Sequence, residues 1–199
     1  MTGNVRVVRP VVEFITPGAG RAWAFQVRTA PDFPFAWHAH DYYELTVITA
    51  GTGRRFAGDA AAAYGPGDVA LFGPRLPHTY AAAAAHGPQS ACVAQLSAAF
   101  VDRLTAGPEF VAVRELLARS GHGVALSVPS SDLSRSALRL AELDGARQTV
   151  ALLELLTDLA EQPSLVTLAS TAAARSISAT SADALSAVVS YWTSTTRSP

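Results

Sequence analysis

Three histidines and one glutamate, His38, His40, Glu44 and His78, are the residues of this sequence best suited to chemistry. Imidazole nitrogens and a carboxylate are the donors of mononuclear transition-metal sites. On an extended strand His38 and His40 lie two residues apart and face the same side. Glu44 keeps that parity four residues further on, from the same strand or its continuation. His78 follows Pro77 and a stretch rich in Gly and Pro, so it arrives from a later strand. Such a set suits Zn, Fe, Ni, Mn or Cu and leaves a position for water or for an oxygen of a bound molecule. The alternative is that the imidazoles hydrogen-bond one another and a bound molecule across a polar barrel interior. Converging histidines titrate near neutral pH, which would make binding pH-dependent.

Neighbouring residues extend the set. The same parity turns Tyr42 inward beside His38, His40 and Glu44, as a candidate to line a pocket, and turns Trp37 outward. One of Arg54 and Arg55 faces inward, and the spacing leaves open which; Arg54 is carried as the ligand-binding candidate. An inward Arg favours an anionic or polyhydroxylated ligand, whereas an edge Arg discourages strand addition. His86, after an alanine run, and His122, between Gly121 and Gly123, read as solvated surface residues. Cys92 lies in an apolar strand-like run and reads as a core residue. The alanine runs 60–63 and 81–85 carry no evident chemistry.

The elements that must position these groups follow from pattern. Residues 11–15, 22–28, 44–50, 53–56, 68–72, 78–82 and 90–96 read as strands, broken at Pro17-Gly18, Gly51-Thr52-Gly53, Gly65-Pro66-Gly67 and Gly73-Pro74. Many short strands with no helical period between them indicate a sandwich or barrel. Near Ala98 the period changes. Residues 109–119 form an amphipathic helix, and 121–128 a short strand. A helix capped by Ser130 or Ser131 runs to about Leu143 and is ended by Gly145, and a stronger one covers 146–161. The last two make a helical hairpin. The second has an apolar face wider than one contact with the barrel requires, which points to a homodimer or to burial wholly within its own domain. The division expected is therefore a barrel over 1–97, a helical region over 98–167, a small and polar linker over 168–181, and over 182–199 the opening helix of a further domain.

Composition limits the function classes. Of 199 residues 49% are hydrophobic, enough for a core. The net charge is −1, every basic residue is Arg, and no basic stripe exists of the kind that holds nucleic acid. Direct DNA binding is not expected of this chain. A single cysteine, no apolar leader and no run of roughly 18 apolar residues point to a cytoplasmic chain with no membrane partner.

His38-x-His40-x3-Glu44-x6-Gly51 and Gly67-x10-His78 resemble the two motifs of the cupin superfamily. Asp32 stands where the first motif usually opens with Gly, Gly73 and Arg75 replace a Pro and a Gly of the second, and Ala82 replaces its closing Asn. Residues 35–51 and 67–78, with Pro108–Leu117 and Leu168-Ala169-Ser170, are similar to the amino-terminal sensor domain of AraC-type transcriptional regulators. That resemblance implies a mainly β fold with an α appendage: a cupin (double-stranded β-helix, jelly-roll) barrel followed by a dimerising helical hairpin. It also implies a small-molecule effector, sugar-like or anionic, in the barrel, and a carboxy-terminal DNA reader of which 182–192 looks like only the first helix. With Tyr42 and Arg54 from the parity reading, the expected ligand-binding residues are His38, His40, Tyr42, Glu44, Arg54 and His78, with no catalytic residue. A small metal-dependent cupin enzyme, a dioxygenase or isomerase using the same four ligands, is the rival. A helix-deficient regulator that heterodimerises with full-length partners is a third class.

Overall fold

The computed structural model describes residues 10–14, 17, 21–82 and 87–172. The strands are β1 (Val11–Val12), β2 (Trp23–Ala30), β3 (His38–Ala39), β4 (Tyr43–Ala50), β5 (Gly53–Ala57), β6 (Ala60–Tyr64), β7 (Val69–Phe72), β8 (His78–Ala81) and β9 (Gln89–Leu96). Helices α1 (Ala98–Leu104) and α2 (Val111–Arg119), strand β10 (Val124–Leu126), helices α3 (Ser131–Arg139) and α4 (Gly145–Ala160), and strand β11 (Leu165–Thr167) follow. No described helix is long and apolar enough to cross a membrane.

Two sheets result, in the orders β1-β3-β8-β5-β6 and β11-β10-β7-β4-β9-β2. They enclose a lumen, and alternation along each strand divides the side chains between it and the outer faces. On β4, Leu45 and Val47 turn outward into a core shared with all four helices, while Glu44, Thr46 and Ile48 turn inward. This is a cupin-type jelly-roll, mainly β, with a helical layer on the outside of the larger sheet.

The helices are placed by local signals. Ser97 Oγ accepts the Phe100 amide at the start of α1, and Ser130 Oγ accepts the Leu133 amide at the start of α3. Ala151, Leu152, Leu155, Leu156 and Leu159 of α4 are all buried in the shared core. The wide apolar face of this helix is thus largely used within its own domain. Val150, 57% exposed, stays outside.

Several expectations need adjustment. Tyr43 and Gln89 extend their strands, and the 109–119 helix begins at Val111, behind a 3-10 turn at Pro108–Phe110. The helix starting near Ser131 closes in a 3-10 turn at Leu140–Glu142, and Gly145 opens α4 instead of ending its predecessor. The alanine run at 60–63 belongs to β6, whose pairing with β5 outweighs the weak strand preference of alanine. His86, residues 173–181 of the expected linker and the expected helix at 182–192 lie outside the described residues.

Candidate metal centre

The four expected ligands converge, by a route that differs from simple strand parity. His38 and His78 stand opposite each other in β3 and β8 of the smaller sheet. β3 ends at Ala39, a bend at Asp41-Tyr42 carries the chain across, and Glu44 enters from β4 of the larger sheet. The site therefore bridges the two sheets. One ligand atom from each of His38, His40, Glu44 and His78 lies within 4.8 Å of all the others. His40, Glu44 and His78 are buried, and His38 is half-buried.

Each imidazole is oriented from behind. Nδ1 of His38 faces the Ala36 carbonyl at 2.8 Å, Nδ1 of His40 the Tyr42 carbonyl at 3.1 Å, and Nδ1 of His78 the Leu76 carbonyl at 2.8 Å. A carbonyl only accepts, so each Nδ1 carries the proton and each Nε2 lone pair is left to face the centre. Nε2 of His40 lies 3.2 Å from Glu44 Oε2, and Nε2 of His78 lies 3.4 Å from Glu44 Oε1. The His78 Nε2 is buried without a well-formed hydrogen bond. Lone pairs of His40 and His78 aimed at one carboxylate, with a His38 nitrogen within 4.8 Å of the other ligand atoms, call for a cation between them, a proton or a metal ion. The donor set fits Zn, Fe, Ni or Mn.

The carboxylate is held as firmly as the rings. Thr46 Oγ1 donates to Glu44 Oε1 at 2.9 Å, and Gln95 Nε2 donates to Oε2 at 2.9 Å. Burial pushes the Glu44 carboxyl up, but the hydrogen bond to His40, the close contact of His78 and the charges of both rings hold it well below the usual carboxylate range. Burial pulls His40 down, yet the hydrogen bond to Glu44 and its charge leave His40 raised overall. Burial, joined by the neighbouring His78, lowers His38.

The lumen beside the centre is a cavity of about 100 Å³ that opens to solvent. His38, Glu44, Thr46 and Gln95 line one end and Phe33, Ile48, Ala91 and Val93 the other. Tyr42 contributes its carbonyl to His40; its half-buried ring sits 6.4 Å from the His40 ring and does not line the cavity. Trp37 faces away from the lumen, buried beneath Phe35. The inward arginine is Arg55, ion-paired to Asp68, and Arg54 projects from the opposite face of β5. His122 closes a 3-10 turn and its carbonyl accepts the Ala169 amide. Cys92 is buried in the core, its thiol pushed up to about 11 by burial.

Sequence reasoning missed Thr46, Gln95, Phe72 and Glu13. Thr46 follows from parity, two residues beyond Glu44. Gln95 and Phe72 need the register of β9 and β7 against β4, in which both stand opposite Glu44. Glu13, whose carboxylate lies 3.6 Å from His38 Nε2, needs the parallel pairing of β1 with β3.

A lumen between two facing, mainly antiparallel sheets with a His3Glu centre defines a cupin-type binding barrel. The profile of the AraC-like ligand binding domain matches residues 24–160, and the chain belongs to that family. The family is a ligand-binding one, and the chain is accordingly a binding domain and not an enzyme. No curated protein sequence matches it. Among solved structures, it is similar to a Cupin 2 conserved barrel domain protein from Salinispora arenicola CNS-205, with 21% identity, TM-score 0.37, and coverage of 45% of this chain and 76% of that one. It is also similar to ToxT from Vibrio cholerae, with 8% identity, TM-score 0.48, and coverage of 70% of this chain and 55% of that one. Another ToxT structure, bound to (E)-4-(8-methylnaphthalen-1-yl)but-3-enoic acid, matches with 10% identity, TM-score 0.45, and coverage of 68% and 54%. The chain thus spans little more than half the length of ToxT.

Proposed function

We propose that this chain is the effector-sensing part of an AraC-type transcriptional regulator. A small molecule enters the barrel lumen and meets a divalent transition metal held by His38, His40, Glu44 and His78. The observation that carries this reading is the convergence of four ligand atoms within 4.8 Å at one end of an open cavity. When bound, the metal supplies a Lewis acid that polarises an oxygen of the effector. The protein's own part is orientation. Three carbonyls fix the imidazole tautomers, Thr46 and Gln95 fix the carboxylate, and the apolar end of the cavity excludes water from the effector.

The same proposal divides the chain into a barrel over 1–97, a helical region over 98–167, a linker over 168–181 and the start of a DNA reader over 182–199. It makes the chain a homodimer through α3 and α4, where Leu138 (43% exposed) and Val150 leave apolar surface outside. It places the protein in the cytoplasm, as a lone buried thiol favours. The reading places the binding on residues that line the cavity, which Tyr42 and Arg54 do not.

The test has two arms. Cobalt titration of the purified chain is expected to give one tetrahedral or five-coordinate d–d spectrum per chain, lost in Glu44→Gln and His78→Ala. A small-molecule library screened by thermal shift is expected to contain compounds that stabilise the wild type and not Val93→Trp, which fills the lumen. A library with no compound that distinguishes the two proteins contradicts the reading.

A further inference from the structure

Three rungs of inward side chains cross the lumen from β4 through β9 to β2. Glu44 stands opposite Gln95; Thr46, Val93 and Gln26 share the next rung; Ile48, Ala91 and Arg28 share the third. At about 3.3 Å per residue, four residues of strand separate the first and third rungs by about 13 Å of backbone. The chemistry changes along that distance. Both acidic residues lining the cavity, Glu13 and Glu44, are at the metal end. Beyond it Val93, Ile48, Ala91 and Phe33 supply apolar wall, with Thr46 and Gln26 beside Val93 on the middle rung.

Among the described residues Arg28 is the one arginine of the cavity wall, and it stands at the end away from the carboxylates. Its guanidinium carbon lies 6.0 Å from the centroid of the Phe33 ring, a cation–π placement that holds it at the rim. Among the described residues it has no carboxylate partner. Arg55, the other inward arginine, is neutralised by Asp68 and does not line this cavity.

Resting on the effector-sensing reading, we propose that the effector is a bipolar organic acid. Its carboxylate is met by Arg28 at the rim, its apolar spacer lies along Val93, Ile48 and Ala91, and a polar oxygen or nitrogen reaches the Glu44 end. An anion at the opposite end would face Glu44 and Glu13. A single exposed guanidinium presents one planar fork, which suits a carboxylate better than a phosphate dianion. Arg28 is then the residue that selects for charge, and Phe33 positions it. The length of the lumen selects a spacer of one aryl ring or a short alkyl chain.

The experiment uses the purified chain and a panel of matched triplets, each an acid, its primary amide and the corresponding amine. The scaffolds are 4-hydroxyphenyl, phenyl and short hydroxyalkyl groups, starting with 3-(4-hydroxyphenyl)propionate. The methyl resonances of Ala91, Val93 and Ile48 report occupation of the lumen. Acids are expected to shift these methyls and to bind at least tenfold more tightly than their amides and amines. Arg28→Gln, at an exposed position that leaves the fold intact, is expected to weaken the acids at least tenfold and leave the amides unchanged. Amides or amines that occupy the lumen as tightly as the acids overturn the proposal and leave effector sensing standing. So does acid binding indifferent to Arg28→Gln. A panel in which no member shifts the lumen methyls overturns both.

Discussion

The imidazole of His78 lies flat on the ring of Phe72, with centroids 4.1 Å apart and planes 11° from parallel. Phe72 is fully buried in a cluster with Ala57, Leu76, Ala125 and Ala169. One ligand of the centre thus rests on the packing that also seats residue 169. Replacing the ring with leucine keeps the site apolar but removes the flat support. Phe72→Leu is expected to weaken metal binding about 10–100-fold, as loss of a partner behind a ligand typically does, and to cost about 1–3 kcal/mol of stability as the core repacks. Competitive chelator titration and urea denaturation measure the two effects separately.

Gln95 and Thr46 act on the same centre through the carboxylate. With both Glu44 oxygens satisfied, the carboxylate keeps one orientation; without Gln95, Oε2 retains only His40. Gln95→Leu is expected to lower metal affinity about 10–100-fold. The stability cost is about 1–3 kcal/mol, the penalty of a buried acceptor losing a donor. Thr46→Val, isosteric and one oxygen poorer, should fall on the milder side of both. Unchanged cobalt affinity in both variants would remove their positioning role.

The sequence showed the ligand set and most strands because both rest on short-range signals, the two-residue alternation and the glycine-rich breaks. What it hid depends on long-range register. Nothing local says that Gln95 lies opposite Glu44, 51 residues away, or that Arg55 and not Arg54 turns inward. Parity misled at Asp41-Tyr42, where the chain leaves one sheet for the other and Glu44 reaches the site across the lumen. The glycines were legible, but not their reasons. Gly51 holds φ at 87°, and a Cβ there would come within 2.1 Å of Gln89 Oε1. Arg75 occupies a left-handed conformation, φ 66°, where the resemblance expects Gly, and its amide donates to the His40 carbonyl. Strands β6 and β11 were missed because alanine carries little strand signal of its own and Leu165–Thr167 is only three residues long.

Metal-free protein should show a stability optimum in mildly acidic solution. The folded pKa of His40 is raised above 6.5 through Glu44, so its contribution is full below pH 6.5 and is lost as pH rises through the raised value. The folded pKa of Glu44 is depressed below 4.5, so its contribution is present above pH 4.5 and is lost as pH falls through the depressed value. The two overlap between pH 4.5 and 6.5. The lowered His38 opposes them at the acid end of that window, where protonating its half-buried ring costs stability, so the optimum lies toward pH 6.5. Urea midpoints of chelator-treated protein from pH 4 to 8.5 are expected to peak in that window, and His40→Gln should flatten the alkaline side. Added metal must displace the His40 proton, so its affinity should rise with pH across the same side.

Asp59, at the turn between β5 and β6, accepts the Ser170 amide at 2.8 Å, while the Leu168 and Ala169 amides donate to the Gly123 and His122 carbonyls. These bonds fasten residues 168–170 to the barrel beside the cluster that supports His78. Asp59→Ala removes its hydrogen bonds to Ser170 near the surface, worth about 1 kcal/mol at the amide. Hydrogen exchange at the Ser170 amide should accelerate about fivefold, with global stability almost unchanged. Slower exchange at the same amide when metal is added to the wild type, and not to Phe72→Leu, would tie the centre to this attachment through the shared cluster.

Arg55 and Asp68 form an ion pair on the inner side of the barrel, both buried, with the Tyr80 ring nearby. For Asp68, burial outweighs the attraction of Arg55 and leaves its carboxyl raised, so the pair gains less than its geometry implies. Such pairs are weak net stabilisers, but breaking one strands a charge. Asp68→Asn is therefore expected to destabilise by about 3–5 kcal/mol, because the Arg55 guanidinium stays buried with no counter-charge. The double variant Arg55→Met with Asp68→Leu removes both charges and should recover most of that loss, ending within about 1–2 kcal/mol of the wild type or above it. The pair would then serve to fix the register of β5 against the loop before β7 more than to stabilise the fold. Chemical denaturation of the two variants decides the matter: a double variant as unstable as Asp68→Asn would show that the ion pair itself supplies the stability.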